Sequence, residues 1–175
     1  MSNTSLRIKP IGIVHSPYKE RLGTPIQGTF APEGKGTIEI FEEFAEGLAD
    51  IGGFSHIWVL YQFHLSEGYN LKVVPFMDDV ERGLFSTRAS RRPNPIGLSL
   101  LRLLQVVGPA LHVAELDIVD GTPVLDIKPY LPDIDSRTNA RSGWLDRIED
   151  ETRRRRSRAD GRFCGRMEKR GTQPE

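Results

Sequence analysis

Short apolar segments, separated by turn-forming residues, dominate the first 130 residues of this chain. Residues 37–41 alternate apolar and polar side chains with a period of two, which is typical of a strand buried on one face. Residues 57–63 are β-branched and aromatic on both faces, which predicts a central strand. Further strands are expected at residues 8–14, 71–74, 83–86, 98–107, 111–119 and 124–127. Because no long helical patterns alternate with these strands, we expect an all-β barrel or sandwich.

Two local patterns predict a helix and a hairpin. Within residues 42–51, apolar side chains recur at i, i+4 and i+7, and a glycine pair follows at 52–53, so we expect a helix that ends there. The dipeptide Asp120-Gly121 lies between two apolar segments, which predicts a tight β-hairpin.

Composition excludes several classes of protein. The chain has 175 residues, 38% hydrophobic and 27% charged, which is ordinary for a soluble globular domain. No apolar run approaches the roughly 20 residues of a membrane span, and residues 1–5 lack a signal pattern. The single cysteine, Cys164, excludes an internal disulfide and a zinc site built on cysteine pairs. His56 and His64 lie too far apart along one strand to bind one metal, so we expect no metal. The absence of a signal pattern and of cysteine pairs favours a cytoplasmic protein.

The charge of the chain is divided into two parts. Residues 1–146 hold 14 Lys and Arg against 18 Asp and Glu, whereas residues 147–175 hold 10 against 6. We therefore expect a β domain over 1–146 and a basic extension over 147–175. The run of Arg153, Arg154, Arg155 and Arg156 is either an arm for polyanions or a solvated helix end without a partner.

An arginine-rich loop over residues 86–99 is the strongest candidate for a binding loop. It contains Arg88, Arg91 and Arg92, and arginine grips carboxylates and phosphates through a planar fork of donors. Two prolines in the same loop fix the backbone and extend the residues before them. The alternative is a basic surface turn.

Other polar loops accompany it, at residues 16–28, 54–58 and 120–132, and rigid scaffolds commonly carry their sites on such loops. The glycine-rich motifs that cradle phosphates, G-x-G-x-x-G and G-x-x-x-x-G-K-[ST], do not occur, nor do H-E-x-x-H and G-x-S-x-G. The sequence therefore lacks the loops that usually bind nucleotide phosphates.

Four motifs carry a specific resemblance. They read I-G-I-V-H-S-P-Y-K (11–19), F-S-H-I-W-V-L-Y (54–61), F-S-T-R-A-S-R-R-P-N-P-I-G-L-S (85–99) and D-I-V-D-G-T-P-V-L-D-I-K-P-Y (117–130). Over residues 7–146 the chain resembles the TrmO/TsaA-like (VirR-type) family. The resemblance implies a mainly β fold, a small closed β-barrel with one or two short helices, here followed by the basic tail. Beyond Asp146 the chain does not resemble the extra C-terminal domain of longer bacterial members.

The resemblance also implies an activity and a site. Members bind S-adenosylmethionine, work as homodimers and methylate the N6 nitrogen of threonylcarbamoyl-adenosine next to the tRNA anticodon. Matching motifs place donor binding at Pro25, Ile26, Gln27, His56, Ile57, Arg88, Leu98, Asp120, Gly121, Thr122 and Pro123. For His56 a purely structural role is the alternative.

The chemistry of the donor suggests a role for several of these side chains. Ile57 and Leu98 could sandwich the adenine, Arg88 could pair with the carboxylate, and Asp120 could accept from a hydroxyl or the ammonium. Asp126 and Tyr130 are candidates for accepting the proton of the acceptor nitrogen or orienting it, with structural hydrogen bonds as the alternative.

RNA phosphates are expected to bind Arg91, Arg92 and the arginine run at 153–156. Two other functions remain open at this stage. One is a non-catalytic module that binds S-adenosylmethionine or RNA for regulation. The other is a methyltransferase that acts on a small molecule or a protein.

Overall fold

The computed structural model describes residues 7–163, and six of the eight strands in this range close into a barrel. The barrel strands are β1 (Gly12–His15), β2 (Lys35–Ile40), β3 (His56–Gln62), β6 (Ile96–Val107), β7 (Ala110–Ala114) and β8 (Pro123–Pro129), and the other two, β4 (Lys72–Val73) and β5 (Arg82–Gly83), pair with each other. Around the barrel the order is β1-β2-β7-β6-β3-β8, with antiparallel neighbours throughout. The prediction of a mainly β chain with a small closed barrel is confirmed.

The barrel interior is filled by branched aliphatic side chains. Along β3, every second residue points inward, and Ile57, Val59 and Tyr61 are buried. Facing them are fully buried side chains from the other strands: Val14, Ile38, Leu101, Leu111, Val113 and Val124. Burying one such side chain stabilises the fold by about 1.5–3 kcal/mol. Since β3 pairs with β6 on one side and β8 on the other, its predicted central position is confirmed.

The segment predicted as a helix over 42–51 has a different geometry. It forms a 3₁₀ helix over Glu42–Leu48 and a 3₁₀ turn over Ile51–Gly53. Asp50 between them is left-handed, with φ at 65°, which interrupts the helix before the glycine pair is reached. The periodic side chains nevertheless pack against the barrel core, as their spacing requires. Packing against the barrel therefore fixes this segment without continuous α-helical hydrogen bonding.

The α-helices of the described chain are short. They are α1 (Pro132–Asp135) and α2 (Asp150–Arg155), and 3₁₀ turns occur at Gly28–Phe30, Leu84–Ser86, Gly143–Arg147 and Gly161–Phe163. The strand predicted over 83–86 is largely wrong, since β5 ends at Gly83 and a 3₁₀ turn follows. Within residues 7–163, no helix is long and apolar enough to cross a membrane.

The hairpin predicted at Asp120-Gly121 is wrong. The strand before it ends at Ala114, and residues 115–119 form no strand. The apolar residues of this segment nevertheless face inward, because Leu116 and Ile118 are buried in the core. However, the backbone N–H groups in this part of the chain do not donate to β8. The Leu116 N–H donates to the Gly34 carbonyl at 3.1 Å. The N–H groups of Asp120 and Gly121 donate to carbonyls of the loop at residue 18 and of β1, at 2.7 and 2.8 Å. The segment therefore crosses from one part of the barrel to another.

The C-terminal segment, defined as residues 144–163, folds back onto the barrel loops. The Ala159 N–H donates to the Thr24 carbonyl at 2.8 Å, and the Ile26 N–H donates to the Ser157 carbonyl at 3.0 Å. Phe163 is buried beside Leu84, and its ring centroid lies 5.0 Å from that of Phe76. The domain boundary after residue 146 stays a prediction. Cys164, residues 1–5 and the end of the basic extension (164–175) lie outside the described residues.

Gly97 provides a test of the barrel packing. It lies opposite Tyr61 in the β3–β6 register, and a Cβ there would stand 2.3 Å from two atoms of the buried Tyr61 ring. Because so close an approach forces the ring or β6 to shift from its packed position, we expect Gly97→Ala to lower the free energy of unfolding by about 1–3 kcal/mol. Chemical denaturation measures this change. The matched control is Gly53→Ala, whose Cβ would meet no atom within 4 Å; equal losses in the two variants would contradict the packing.

Candidate active site

A cavity of about 690 Å³ opens where β3 ends and β6 begins. Three parts of the chain form its wall: the loop at residues 21–27, the arginine-rich loop, and the C-terminal segment. Residues just beyond β3, the crossing segment at 117–119, residues 75–77, Phe85 and Thr122 also line it. The barrel thus supplies a rigid base, and long loops supply the walls.

A chain of hydrogen bonds runs from the barrel core to the cavity wall. The Ser99 hydroxyl donates to Asp117 Oδ1 at 2.7 Å, so the Tyr61 hydroxyl, 3.2 Å from the Ser99 oxygen, is the donor to Ser99. Burial raises the pKa of Asp117 to about 6, although the bond from Ser99 and the charge of Arg88 oppose this rise. Burial and the charge of Asp117 also hold the pKa of Tyr61 well above its usual value. Asp117 therefore carries a negative charge at neutral pH in a poorly solvated wall.

A cation and apolar groups share the wall with this carboxylate. The Arg88 guanidinium donates to the Gln27 side-chain oxygen, and the Gln27 amide donates to the Ile26 carbonyl at 2.6 Å. Leu98 lines the same cavity and is 45% exposed. An anionic group, a cationic group and apolar surface in one cavity match a ligand that is zwitterionic at one end and aromatic at the other.

Six of the predicted donor-binding residues line this cavity: Pro25, Ile26, Gln27, Arg88, Leu98 and Thr122. Thr122 donates to the Val119 carbonyl at 2.6 Å, and its hydroxyl lies 3.2 Å from His64 Nδ1. The arginine-rich loop and the residues before the first 3₁₀ turn therefore meet in space, as the resemblance implied.

The other five do not line the cavity of this chain. Ile57 is fully buried inside the barrel and has no surface for a ligand, and His56 starts β3, roughly 16 Å along the strand from Tyr61. Asp120 accepts from the Ser16 N–H and from Lys19, both at 2.8 Å, which holds its pKa below its usual range. Gly121 and Pro123 belong to the backbone that ties this turn to β1. Donor binding by these five residues stays a prediction.

Asp126 and Tyr130 lie along β8, away from the cavity. Asp126 accepts from the Ile127 N–H at 2.9 Å and pairs with Lys128 at 2.8 Å. The ring of Tyr130 stands edge-on to Trp58, with centroids 6.0 Å apart. Neither residue is part of the cavity wall of this chain, and their catalytic role stays a prediction.

Several of the arginines predicted to bind RNA have structural contacts. Arg92 donates to the carbonyls of Leu84, Thr87 and Ala89 at 3.0–3.5 Å and so holds the arginine-rich loop together. Arg91 lines a smaller cavity of about 280 Å³.

The arginine run is divided between two faces of α2. Arg153 donates to the Leu145 carbonyl, and Arg156 binds both oxygens of Asp79 at 3.0 and 2.7 Å. This pair holds the pKa of Asp79 below its usual range. Arg154 and Arg155 are exposed, so these two have the surface that phosphate binding requires. RNA binding by the run stays a prediction.

Sequence reasoning missed several residues of the wall. His64 and Leu65 follow the end of β3 directly, and burial together with Arg21 lowers the pKa of His64. Asp117 was detectable as a polar residue in an alternating apolar segment. Trp144 and Phe163 carried no usable signal, because they reach the cavity from distant parts of the chain. Within residues 7–163, no three His, Cys, Asp or Glu side chains form a group that could hold a metal ion.

Comparisons with known proteins agree with this geometry. The profile of the tRNA-methyltransferase O N-terminal domain matches residues 13–136. A protein of Pyrococcus abyssi, named a probable S-adenosyl-L-methionine-binding protein, is 49% identical over 89% of this chain and 83% of its own length. The tRNA (adenine(37)-N6)-methyltransferase of Escherichia coli is 36% identical over 81% of this chain and 64% of its own length.

A solved structure extends the agreement to the fold. The crystal structure of TrmO from Pseudomonas aeruginosa superposes with a TM-score of 0.69 at 36% identity. The match covers 81% of this chain and 63% of the crystallised one, so this chain spans less than two thirds of the bacterial proteins. Because the profile covers more than half of the chain and the P. abyssi protein matches along most of both lengths, this protein belongs to the tRNA-methyltransferase O family.

Proposed function

We propose that this protein is an S-adenosylmethionine-dependent methyltransferase that modifies N6 of the adenosine at position 37 of tRNA, next to the anticodon. The observation that carries the proposal is the cavity that joins Asp117, Arg88 and Leu98 at the end of a barrel of this family. The E. coli relative bears the name of this activity. Within it, the acceptor we favour is threonylcarbamoyl-adenosine. A tRNA substrate favours the cytoplasm as its location.

The residues of the cavity fit the donor. Leu98 and Ile26 provide apolar surface for an adenine ring. The Arg88 guanidinium suits the donor carboxylate, and the ionised Asp117 suits its positive charge. The donor has no phosphate, which agrees with a cavity built from loops and strand ends. When bound, S-adenosylmethionine supplies a methyl group on a positively charged sulfur.

The contribution of this chain to the reaction is mainly alignment. Arg88 is held by Gln27, and Asp117 is held by Ser99, so both charged groups have fixed positions before any ligand arrives. Holding two reactants in line can lower a barrier by roughly 7–11 kcal/mol. The cavity also shields the reacting atoms from water, which strengthens the electrostatic effect of Asp117. The acceptor nitrogen must lose a proton, and we retain Asp126 and Tyr130 as candidates to receive it only if another subunit brings them to the cavity.

The second candidate is a module that binds S-adenosylmethionine without transfer. The P. abyssi relative, which has the higher identity, is named only for binding. The two candidates differ in turnover and not in affinity for the donor.

Methyl transfer to RNA is the direct test. Purified protein with donor labelled on the methyl group and unfractionated tRNA should move label into RNA, and mass spectrometry of the nucleosides should find it on N6 of a modified adenosine. The matched control is Arg88→Ala, in which loss of a charged hydrogen-bonding group should weaken donor binding about 10-fold or more. Donor binding without transfer in the wild-type protein would favour the binding module.

Asp117 gives the donor site a pH dependence. Its pKa is raised to about 6, so the carboxylate is neutral below this pH and charged above it. Because S-adenosylmethionine is cationic, its affinity should increase as the pH rises from about 5 to 7. Calorimetry at a series of pH values measures this.

The substitution Asp117→Asn separates this effect from that of His64, a second titratable group in the cavity wall whose pKa burial lowers. The variant should bind the donor more weakly at pH 7 and lose the increase. A variant that keeps the wild-type profile would assign the effect to another group.

We propose a homodimer in which the partner completes the site. The support is that Asp126 and Tyr130 lie away from the cavity of their own chain, while Tyr130 stays half-buried at the surface with its neighbour Trp58. If both subunits contribute, mixing inactive Arg88→Ala with inactive Tyr130→Phe should restore part of the activity, because mixed dimers contain one intact site.

Activity after mixing and the mass from sedimentation equilibrium are the measurements. If mixed dimers form and mixing restores no activity, either Arg88 and Tyr130 act in the same subunit or Tyr130 is not part of the site.

A further inference from the structure

Phe85 is the most exposed large apolar side chain of the described residues, at 74%. It lies at the edge of the cavity and contributes to its wall. A fixed, exposed ring in a cavity wall is available to a ligand, because ligand sites are lined mainly by apolar and aromatic side chains.

The backbone under Phe85 is rigid. Its neighbour Leu84 is 1% exposed and packs with Phe163 and Ala89. The Leu84 N–H donates to the Leu71 carbonyl at 2.8 Å, and the Thr87 side chain donates to the Leu84 carbonyl at 2.8 Å. The ring therefore projects from a short 3₁₀ turn that is anchored on both sides, which limits the entropy lost when a ligand binds.

Cations and a second aromatic ring surround Phe85. The Arg92 guanidinium lies 5.7 Å from the Phe85 ring centroid and is fixed there by loop carbonyls. The indole N–H of Trp144 donates to the carbonyl of Ser86 at 2.8 Å, which attaches the C-terminal segment beside Phe85. The Arg82 guanidinium lies 5.6 Å from the Trp144 ring centroid. Flat apolar faces next to fixed positive charge match a nucleobase attached to phosphates.

Two sets of residues that line the cavity differ in chemistry. Gln27, Arg88 and Asp117 are polar or charged, whereas Phe85 and Trp144 are aromatic. A transfer reaction requires the acceptor to enter the same cavity and reach the donor. Unpaired bases of an RNA loop can be splayed out and stacked on aromatic side chains.

We propose that Phe85 is the stacking platform for the acceptor base, with Trp144 of the C-terminal segment beside it and Arg92 fixing the positive charge behind the ring. The ligand is a purine base of single-stranded RNA. This inference rests on the proposed function and names the part of the site that holds its second substrate.

Direct RNA binding tests the platform without any turnover. The probe is a fluorescent anticodon-arm hairpin with an unpaired adenosine at position 37, titrated with the protein in the absence of donor. We expect Phe85→Ala to weaken binding about 10-fold, since stacking on an aromatic side chain contributes roughly this much per base. Phe85→Trp should retain binding, whereas Phe85→Leu, which keeps apolar bulk without a ring, should not.

Two controls separate this role from others. Phe41→Ala removes an exposed aromatic ring outside the cavity and should leave RNA binding unchanged. The donor affinity of Phe85→Ala, measured by calorimetry, should remain within about 2-fold of wild type, because the donor is proposed to bind Arg88, Asp117 and Leu98 and not Phe85.

The outcomes distinguish this inference from the proposed function. If the wild-type protein binds the hairpin through Phe85 but transfers no methyl group to unfractionated tRNA, the platform stands and the proposed function fails. If the wild-type protein methylates tRNA while Phe85→Ala and Phe85→Leu bind RNA as well as wild type, the platform is overturned and the proposed function stands. A change of subunit stoichiometry in Phe85→Ala would also overturn it and make the ring part of a subunit interface.

Discussion

The contact between the Tyr61 ring and the backbone of Gly97 connects the barrel interior with the cavity. Because Gly97 has no side chain, the ring lies against β6 and its hydroxyl reaches Ser99, which in turn holds Asp117. The same ring fills the end of the core and forms part of the cavity wall. The position of the Asp117 carboxylate therefore depends on core packing through Ser99 and Tyr61.

The sequence was sufficient to predict the barrel and insufficient to predict the path of the chain across it. Alternation with a period of two identified the inward face of β2 correctly, and apolar residues on both faces identified β3 as a central strand. The strand predicted over 111–119 ends at Ala114, although Leu116 and Ile118 beyond it are buried. Side-chain periodicity reports which face is buried, whereas the partner of each backbone N–H depends on distant loops that no local pattern encodes.

The candidate site was recovered in the same partial way. The arginine-rich loop was predicted to be a binding loop because its donors and fixed backbone are local properties of residues 86–99, and in the structure it lines the cavity. The aromatic side was not predicted, since Trp144 arrives from a segment that gave no periodic signal. The number of arginines also does not indicate which of them are available to RNA. Arg92 and Arg156 bind carbonyls and a carboxylate of the protein, whereas Arg154 and Arg155 are exposed. A guanidinium satisfies whichever acceptor the fold brings near it.

The C-terminal segment begins after the family domain ends at residue 136, yet Trp144 and Phe163 form part of the cavity wall. Five residues that line the cavity, from Trp144 to Phe163, therefore come from outside the matched domain. A change in this segment would alter the enclosure while the barrel keeps the hydrogen bonds from Tyr61 through Ser99 to Asp117. The outline of the cavity can thus vary independently of the core packing beneath it.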